Sequence, residues 1–203
     1  MTIAYHEGNR RLQDEFQSRK IADRLDELAR IAFSDDDKSF VESRAFFFIA
    51  TADAEGRPDC SHKGGMPGFV RVSAPDELVF PDYDGNGMFK SLGNIAVNPH
   101  VGLLFIDFEK PRRLRVNGTA TISRDDPLLV RTVGAQLIVR MRAVAIFPNC
   151  PRYIPKMQLV EASPYAPKAG VEFIEPAWKS FPEFAPVIPP RRKSFTGDPP
   201  SKS

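Results

Sequence analysis

AFFFIATADAEGRPDCSHK, residues 45–63, is a hairpin written in three parts. AFFFIAT is short, apolar and rich in β-formers, ADAEGR supplies turn chemistry, and PDCSHK returns as a second strand. Reading outward, GGMPG (64–68) interrupts that return, and FVRV (69–72) and ELVF (77–80) follow as two strands joined by the turn SAPD. PDYDGNG (81–87) is a loop leading into a helical stretch, MFKSLGNIAVN (88–98), which Pro99 ends. VGLLFIDF (101–108) and RRLRVNGTATIS (112–123) are two further strands divided by the turn EKPR. DDPLLVRTV (125–133) begins as a capped helix, AQLIVRMRAVAIF (135–147) alternates as a strand, and NCPRYIPKMQ (149–158) reads as a short helix. Hairpins dominate over regularly alternating βα units. About six or seven antiparallel strands in a closed or partly closed barrel therefore fit better than a Rossmann sheet.

Upstream of the hairpin, residues 9–33 carry helical periodicity through Leu12, Phe16, Ile21, Leu25, Leu28, Ala29 and Ala32, which predicts one packed face and one solvated face. Ser34 followed by Asp35, Asp36 and Asp37 predicts a capped second helix to about Ser43. Downstream, proline becomes frequent from Pro164, and residues 189–203 read as a flexible tail. The expected organisation is an N-terminal helical arm (1–43), a barrel domain (44–162) and an extended C-terminal segment with its tail (163–203).

Composition narrows the function classes. Among 203 residues, 42% are hydrophobic and 27% charged, and the net charge is only +2, which does not suit a broad nucleic-acid footprint. No run nears the ~20 apolar residues that span a bilayer. The N-terminal MTIAYHEGNRRLQDEF is charged and has no signal-peptide apolar core, so a cytoplasmic protein without membrane partners is expected. Cys60 and Cys150 form no C-x-x-C pair and are expected as free thiols, while His6, His62 and His100 lack metal-ligand spacing, so no metal site is expected.

Three places could carry chemistry. In PDYDGNGMFKSLGNI, Gly85 and Gly87 permit a tight turn and close approach to a ligand. The helix start behind them offers free N–H groups, with Lys90, Ser91 and Asn94 beside it. An ordinary glycine turn capping a helix is the plainer reading. The run D-Y-D-G-N-G imitates a calcium loop, but Lys90 and Gly93 stand where positions 9 and 12 need ligands, and the G-x-x-x-x-G-K spacing of a nucleotide P-loop is absent. In the second place, alternation puts Ser61 and Lys63 on one face of PDCSHK and Cys60 and His62 on the other; Lys63 is either a surface lysine or one that reaches a ligand. In the third, Arg113, Arg115, Asn117, Thr119 and Thr121 form a polar face that either meets water or meets a cofactor.

The order of these segments resembles the pyridoxamine 5'-phosphate oxidase-like flavoproteins, and their flavin-nucleotide-binding branch in particular. The likeness runs through FFFIATADAEGRPDCSHKGGMPGFVRV, LVFPDYDGNGMFKSLGNIAVNPHVGLLFIDF and RRLRVNGTA, within about residues 38–160. It implies a mainly β fold with flanking helices, a six-stranded antiparallel split β-barrel of the FMN-binding type. It also implies a homodimer holding FMN in two clefts between subunits. By resemblance Lys63 contacts the cofactor, Pro81 and Asp82 run along the flavin ring, and Asn86, Lys90 and Ser91, with Asn94 nearby, serve the phosphate. Arg113 takes the place of a polar residue that reaches the ring, and Asn149, Arg152 and Tyr153 close the cleft from the partner subunit. The activity implied is FMN-dependent oxidoreduction, with hydride or electrons passing between the flavin and a small-molecule substrate, NADH or NADPH. The alternative is a non-catalytic flavin reservoir or redox sensor, and a lesser one is a barrel holding a deazaflavin or haem, the latter ligated by His62 or His100. The loop Gly85-Asn86-Gly87 departs from the basic Ser-Arg-Lys run of the authentic oxidase. The sequence after Trp178 also lacks the arginine–histidine motif that grips the vitamin phosphate, so pyridoxine phosphate is not the expected substrate.

Overall fold

A computed structural model describes residue 3 and residues 5–190; the expected tail lies almost wholly outside the described residues. Seven strands make one antiparallel sheet: β1 (Phe46–Ala52), β2 (Pro58–Gly64), β3 (Arg71–Ala74), β4 (Glu77–Tyr83), β5 (His100–Asp107), β6 (Arg112–Ser123) and β7 (Ala135–Pro148). Their order is β2-β1-β5-β6-β7-β4-β3, so the strands on either side of the GGMPG interruption end up on opposite edges. Seven strands are those read along the sequence, one more than the six-stranded barrel that the family resemblance implies, the short β3 pairing with β4.

The sheet curls on itself without closing. β1 and β4 are separated by three strands in the ladder order, yet the rings of Phe47 and Phe80 meet edge-to-face at 5.0 Å. Phe47 also packs on Phe105 and Phe69, at 5.1 and 5.8 Å, and is fully buried together with Val41, Leu78, Val116, Val139 and Met141. One apolar core thus fills the curve. The edges β2 and β3 are joined by a short link. There the amide of Gly65 donates to Ala45 O (2.9 Å), continuing the β1–β2 pairing, and that of Gly68 donates to Glu42 O (2.7 Å), by which point the chain has left the ladder. The Glu42 carboxylate then accepts from the Val72 amide at 3.1 Å, taking up a donor on the β3 edge.

The expected alternation of β7 holds in part: Leu137, Val139, Met141 and Ala143 are buried and Arg142 and Val144 exposed, but Ile138 on the opposite face is also buried, in a second small core with Val79 and Ala135. β6 bends at a register shift between Asn117 and Gly118. A side chain at Gly118 would come within 2.0 Å of the Arg142 carbonyl oxygen, so only glycine lets the two longest strands stay paired there.

The helices are α1 (Glu7–Glu15), α2 (Arg19–Leu28), α3 (Asp35–Glu42) and α4 (Lys90–Val97). α3 begins at Ser34 with a capping box to Asp37, as the sequence predicts. The expected helical face over residues 9–33 is instead split. Gln17 takes the left-handed conformation (φ +55°), and α2 stops where Arg30 exchanges backbone hydrogen bonds with Ile146 of β7. Its apolar face is also not packed within the chain: Leu12, Phe16, Ile21, Leu25 and Leu28 are exposed. Two further expected helices differ. Residues 125–133 form only a 3₁₀ turn, Leu129–Arg131, and residues 149–158 hold no helix, with Pro151 and Pro155 depriving that run of backbone donors. No helix among the described residues is long and apolar enough to cross a membrane.

Replacing Gly118 by alanine is expected to cost about 3 kcal/mol or more, because the clash is with backbone and has no soft side chain to yield. Urea unfolding of the variant against the parent checks this; an alanine variant within 0.5 kcal/mol, roughly the scatter of harmless substitutions, would contradict the geometry.

Candidate functional site

The gap left by the unclosed sheet holds a cavity of about 480 Å³. Its walls are β2 (Asp59, Cys60, Ser61, Lys63), the end of β4 (Asp82, Tyr83), the loop Asp84–Phe89 and the first turn of α4 (Lys90, Ser91, Leu92). The volume falls within the range of about 300–1,000 Å³ common to small-ligand sites. Lys63 on β2 and Asp82 on β4 approach to 4.0 Å across the split, although their strands share no ladder.

The loop is built by local chemistry. Asn86 Oδ1 accepts from the Met88 amide (3.0 Å), and Gly87 supplies a positive φ of +76°. Phe89 then enters the left-handed region itself, with φ +50° and ψ 29°, as the N-cap of α4. For a bulky side chain this conformation costs roughly 1–2 kcal/mol, a strain that the turn into the helix imposes. No side chain caps α4, whereas His6 and Ser34 form capping boxes on α1 and α3. The start of α4 therefore presents its positive dipole end and first-turn amides at the cavity wall, with the ammonium of Lys90 and the hydroxyl of the buried Ser91. This is the chemistry of an anion site.

Negative groups stand opposite. Asp82 is 8% exposed, and burial pushes its carboxyl above the usual carboxylate range, outweighing a 2.9 Å hydrogen bond donated by Gln136 and the nearby Lys63 ammonium. The Gln136 amide also donates to Tyr83 O (3.1 Å), fixing the end of β4. Burial likewise pushes the Tyr83 phenol up to about 12.

Of the residues expected at the site, Lys63, Asp82, Asn86, Lys90 and Ser91 line this one cavity. Pro81 is buried within β4 opposite Ile138 and contributes no lining. Asn94 lies inside the fold, where its amide donates to Thr51 Oγ1 at 3.0 Å and pins α4 to β1. Arg113 stands elsewhere in the chain, beside the segment after β7, because Leu114 pairs with Pro148. Arg113 Nε and Asn149 Oδ1 are both buried without a hydrogen-bond partner. Arg152 and Tyr153 are exposed, the guanidinium resting 5.7 Å over the ring, and Arg152 holds the Cys150 thiol below its ordinary value through backbone and side-chain hydrogen bonds. His62 points away from the cavity and stacks on Phe46 at 5.4 Å.

Sequence reasoning missed Gln136, Asp59 and the outermost wall, where Trp178, Lys179 and Ile188–Pro190 complete the cavity. Gln136 was visible only as the polar residue opening an otherwise apolar strand. The lone tryptophan within a proline-rich run was the one hint of the outer wall.

Because burial raises the Asp82 pKa, the folded state holds its proton more tightly than the unfolded chain does. The ionised carboxylate thus costs stability at neutral pH, a cost that vanishes on acidification below the ordinary carboxylate range. Asp82→Asn is expected to melt above the parent at pH 7, with the difference shrinking toward pH 4. A constant difference across that range, followed by thermal unfolding, would contradict the assignment.

The family described as pyridoxamine 5'-phosphate oxidase matches residues 33–166. Solved structures with a similar fold include an FMN-binding protein from Syntrophomonas wolfei (12% identity, 68% of this chain and 97% of that one, TM-score 0.44). A Lactobacillus delbrueckii protein proposed as a pyridoxamine 5'-phosphate oxidase shares 21% identity over 58% of this chain and 95% of its own, at a TM-score of 0.48. The haem storage protein HutZ of Vibrio cholerae shares 20% identity over 54% and 92%, at a TM-score of 0.40. No curated protein matches the chain.

Proposed function

The chain belongs to the pyridoxamine 5'-phosphate oxidase family, and from that premise we propose that it is an FMN-dependent oxidoreductase whose flavin occupies the cavity beside α4. The observation that carries the reading is that Lys63, Asn86, Lys90 and Ser91 line one cavity that the uncapped start of α4 borders. There a phosphate meets first-turn amides, two ammonium groups and a hydroxyl, the donor set a dianion requires. Gly85 and Gly87 keep the loop free of side chains at that point, and nothing lies within 4 Å of where a Cβ would sit on Gly87. Asp82, oriented by Gln136, is an acceptor for a ring N–H, and Pro81 stiffens the strand behind it. Bound in this way, the isoalloxazine supplies hydride or electron transfer. The protein's own groups bind it, orient it and limit water around it, and its partner in the reaction is a small molecule, NADH or NADPH.

The working unit in this reading is a homodimer. Arg113 Nε and Asn149 Oδ1, each buried and without a hydrogen-bond partner near the paired ends of β6 and β7, support a second surface over that end of the sheet. So does the apolar face of α1 and α2, where Phe16 is 73% and Ile21 63% exposed. Arg113, Asn149, Arg152 and Tyr153 then serve the cavity of the other copy. A cytoplasmic setting fits the two free thiols.

Purified protein should be yellow and release FMN on denaturation. Lys90→Ala removes a charge-assisted contact of about 1.5–3 kcal/mol, so FMN affinity is expected to fall roughly tenfold to a hundredfold. An unchanged affinity by fluorescence titration would refute the phosphate assignment. Anaerobic mixing of the flavin-loaded protein with NADH or NADPH should bleach the flavin; a yellow protein that neither donor bleaches is instead a flavin reservoir or sensor. Sedimentation should give a dimer, and FMN-saturated monomer would overturn the shared-cavity arrangement.

A further inference from the structure

The outer wall of the cavity comes from far along the chain. Lys179 donates to Asp84 at 2.5 Å across a sequence separation of 95 residues, and also pairs with Glu175 at 3.1 Å. Asp84 opens the loop that bounds the cavity, so this ion pair ties the C-terminal segment to the mouth of the site. The segment is folded mainly on itself. It has 3₁₀ turns at Ala177–Ser180 and Ala185–Val187, an edge-to-face contact of Trp178 with Phe184 at 5.6 Å, and backbone bonds from Phe181 to Trp178 and from Ala185 to Phe181.

Its root is attached elsewhere. The Met157 amide donates to Phe108 O (3.0 Å), the Leu159 amide to Glu109 Oε1 (3.1 Å), and Pro167 lies against Gly134, where any Cβ would meet it at 2.7 Å. A segment fixed at its root, compact in itself and tied by an ion pair where it reaches the cavity is mechanically a strap with a latch.

We propose that Ala177–Pro190 is a closing strap over the cavity, latched by the Lys179–Asp84 ion pair, and that the latch parts when a ligand enters or leaves. The ion pair suits a latch because Asp84 keeps 37% of its side chain in water, so solvent and salt reach the pair from that side although Lys179 is largely covered at 14%. Pairs so placed are weak enough to open often, and salt weakens them further. The charges lining the cavity also favour exchange: an incoming phosphate competes with Asp84 for Lys179. The proposal rests on the cavity being a ligand site, as in the flavin reading, but the strap can be followed with no ligand present.

Trp178 is the only tryptophan in the chain and stands half-buried next to the latch, so its fluorescence reports the strap directly. In the ligand-free full-length protein, Asp84→Asn and Lys179→Gln are expected to raise acrylamide quenching of Trp178 and shift its emission to the red. The charge-swapped double variant, D84K with K179D, should restore the parent values. With FMN, stopped-flow quenching of Trp178 should show release about twofold to fivefold faster in Asp84→Asn, the change expected when a partly exposed ion pair is lost. If Asp84 merely repelled the phosphate, its removal would slow release. Unchanged Trp178 quenching in both single variants, or slower release from Asp84→Asn, overturns the strap. Raised quenching in a protein that binds no FMN upholds the strap and sinks the flavin reading alone.

Discussion

One packing constraint governs this molecule: a seven-stranded sheet wraps around Phe47, while its edge strands β2 and β3 share no ladder. The apolar core brings β1 against β4, and the link between the edges continues the β1–β2 pairing as far as Gly65 and then leaves it at Gly68, whose amide donates to Glu42 O. A closed barrel would leave no room between β2 and β4. The split leaves a cavity there, and α4 borders it, held against β1 by the buried hydrogen bond from Asn94 to Thr51.

The cavity's electrostatics follow from its place at this seam. Lys63, Lys90 and Lys179 face Asp59, Asp82 and Asp84, so the lining is polar without a large excess of either sign. Directional groups then matter more than net charge. The uncapped start of α4 gives the wall a fixed positive field, and the buried Asp82 gives it an acceptor held by Gln136. A ligand with a compact anion at one end and a flat ring bearing polar edges at the other matches that polarity.

Much of this was legible in the sequence where the governing interactions are local. The hairpin of β1 and β2, the Ser34 cap, the alternation of β7 and the turn at Gly85–Gly87 all depend on neighbours a few residues apart. The strands and helix of the site are readable locally, but Lys63, Asp82, Asn86, Lys90 and Ser91 are brought to one site only by the family resemblance, because their meeting across the split is a long-range event. What escaped depends on long-range partners. The end of α2 is decided by pairing of Arg30 with Ile146, and the unpacked face of the N-terminal helices carries the same periodicity that a packed face would. The strap has no periodicity at all, and its position is set by an ion pair between residues 95 apart. Arg113 reads as a cavity residue from its strand, but the register with Pro148 carries it to Asn149 instead.

The central claim is that the start of α4 with Lys63 and Lys90 recognises a phosphate, and comparing FMN with riboflavin tests it most directly, because the two share every ring atom and differ only in that group. Titration of each by quenching of flavin fluorescence should show FMN binding at least about tenfold more tightly, the least that losing one charge-assisted phosphate contact allows. Equal affinities for the two would contradict the account, since the cavity would then be reading the ring alone.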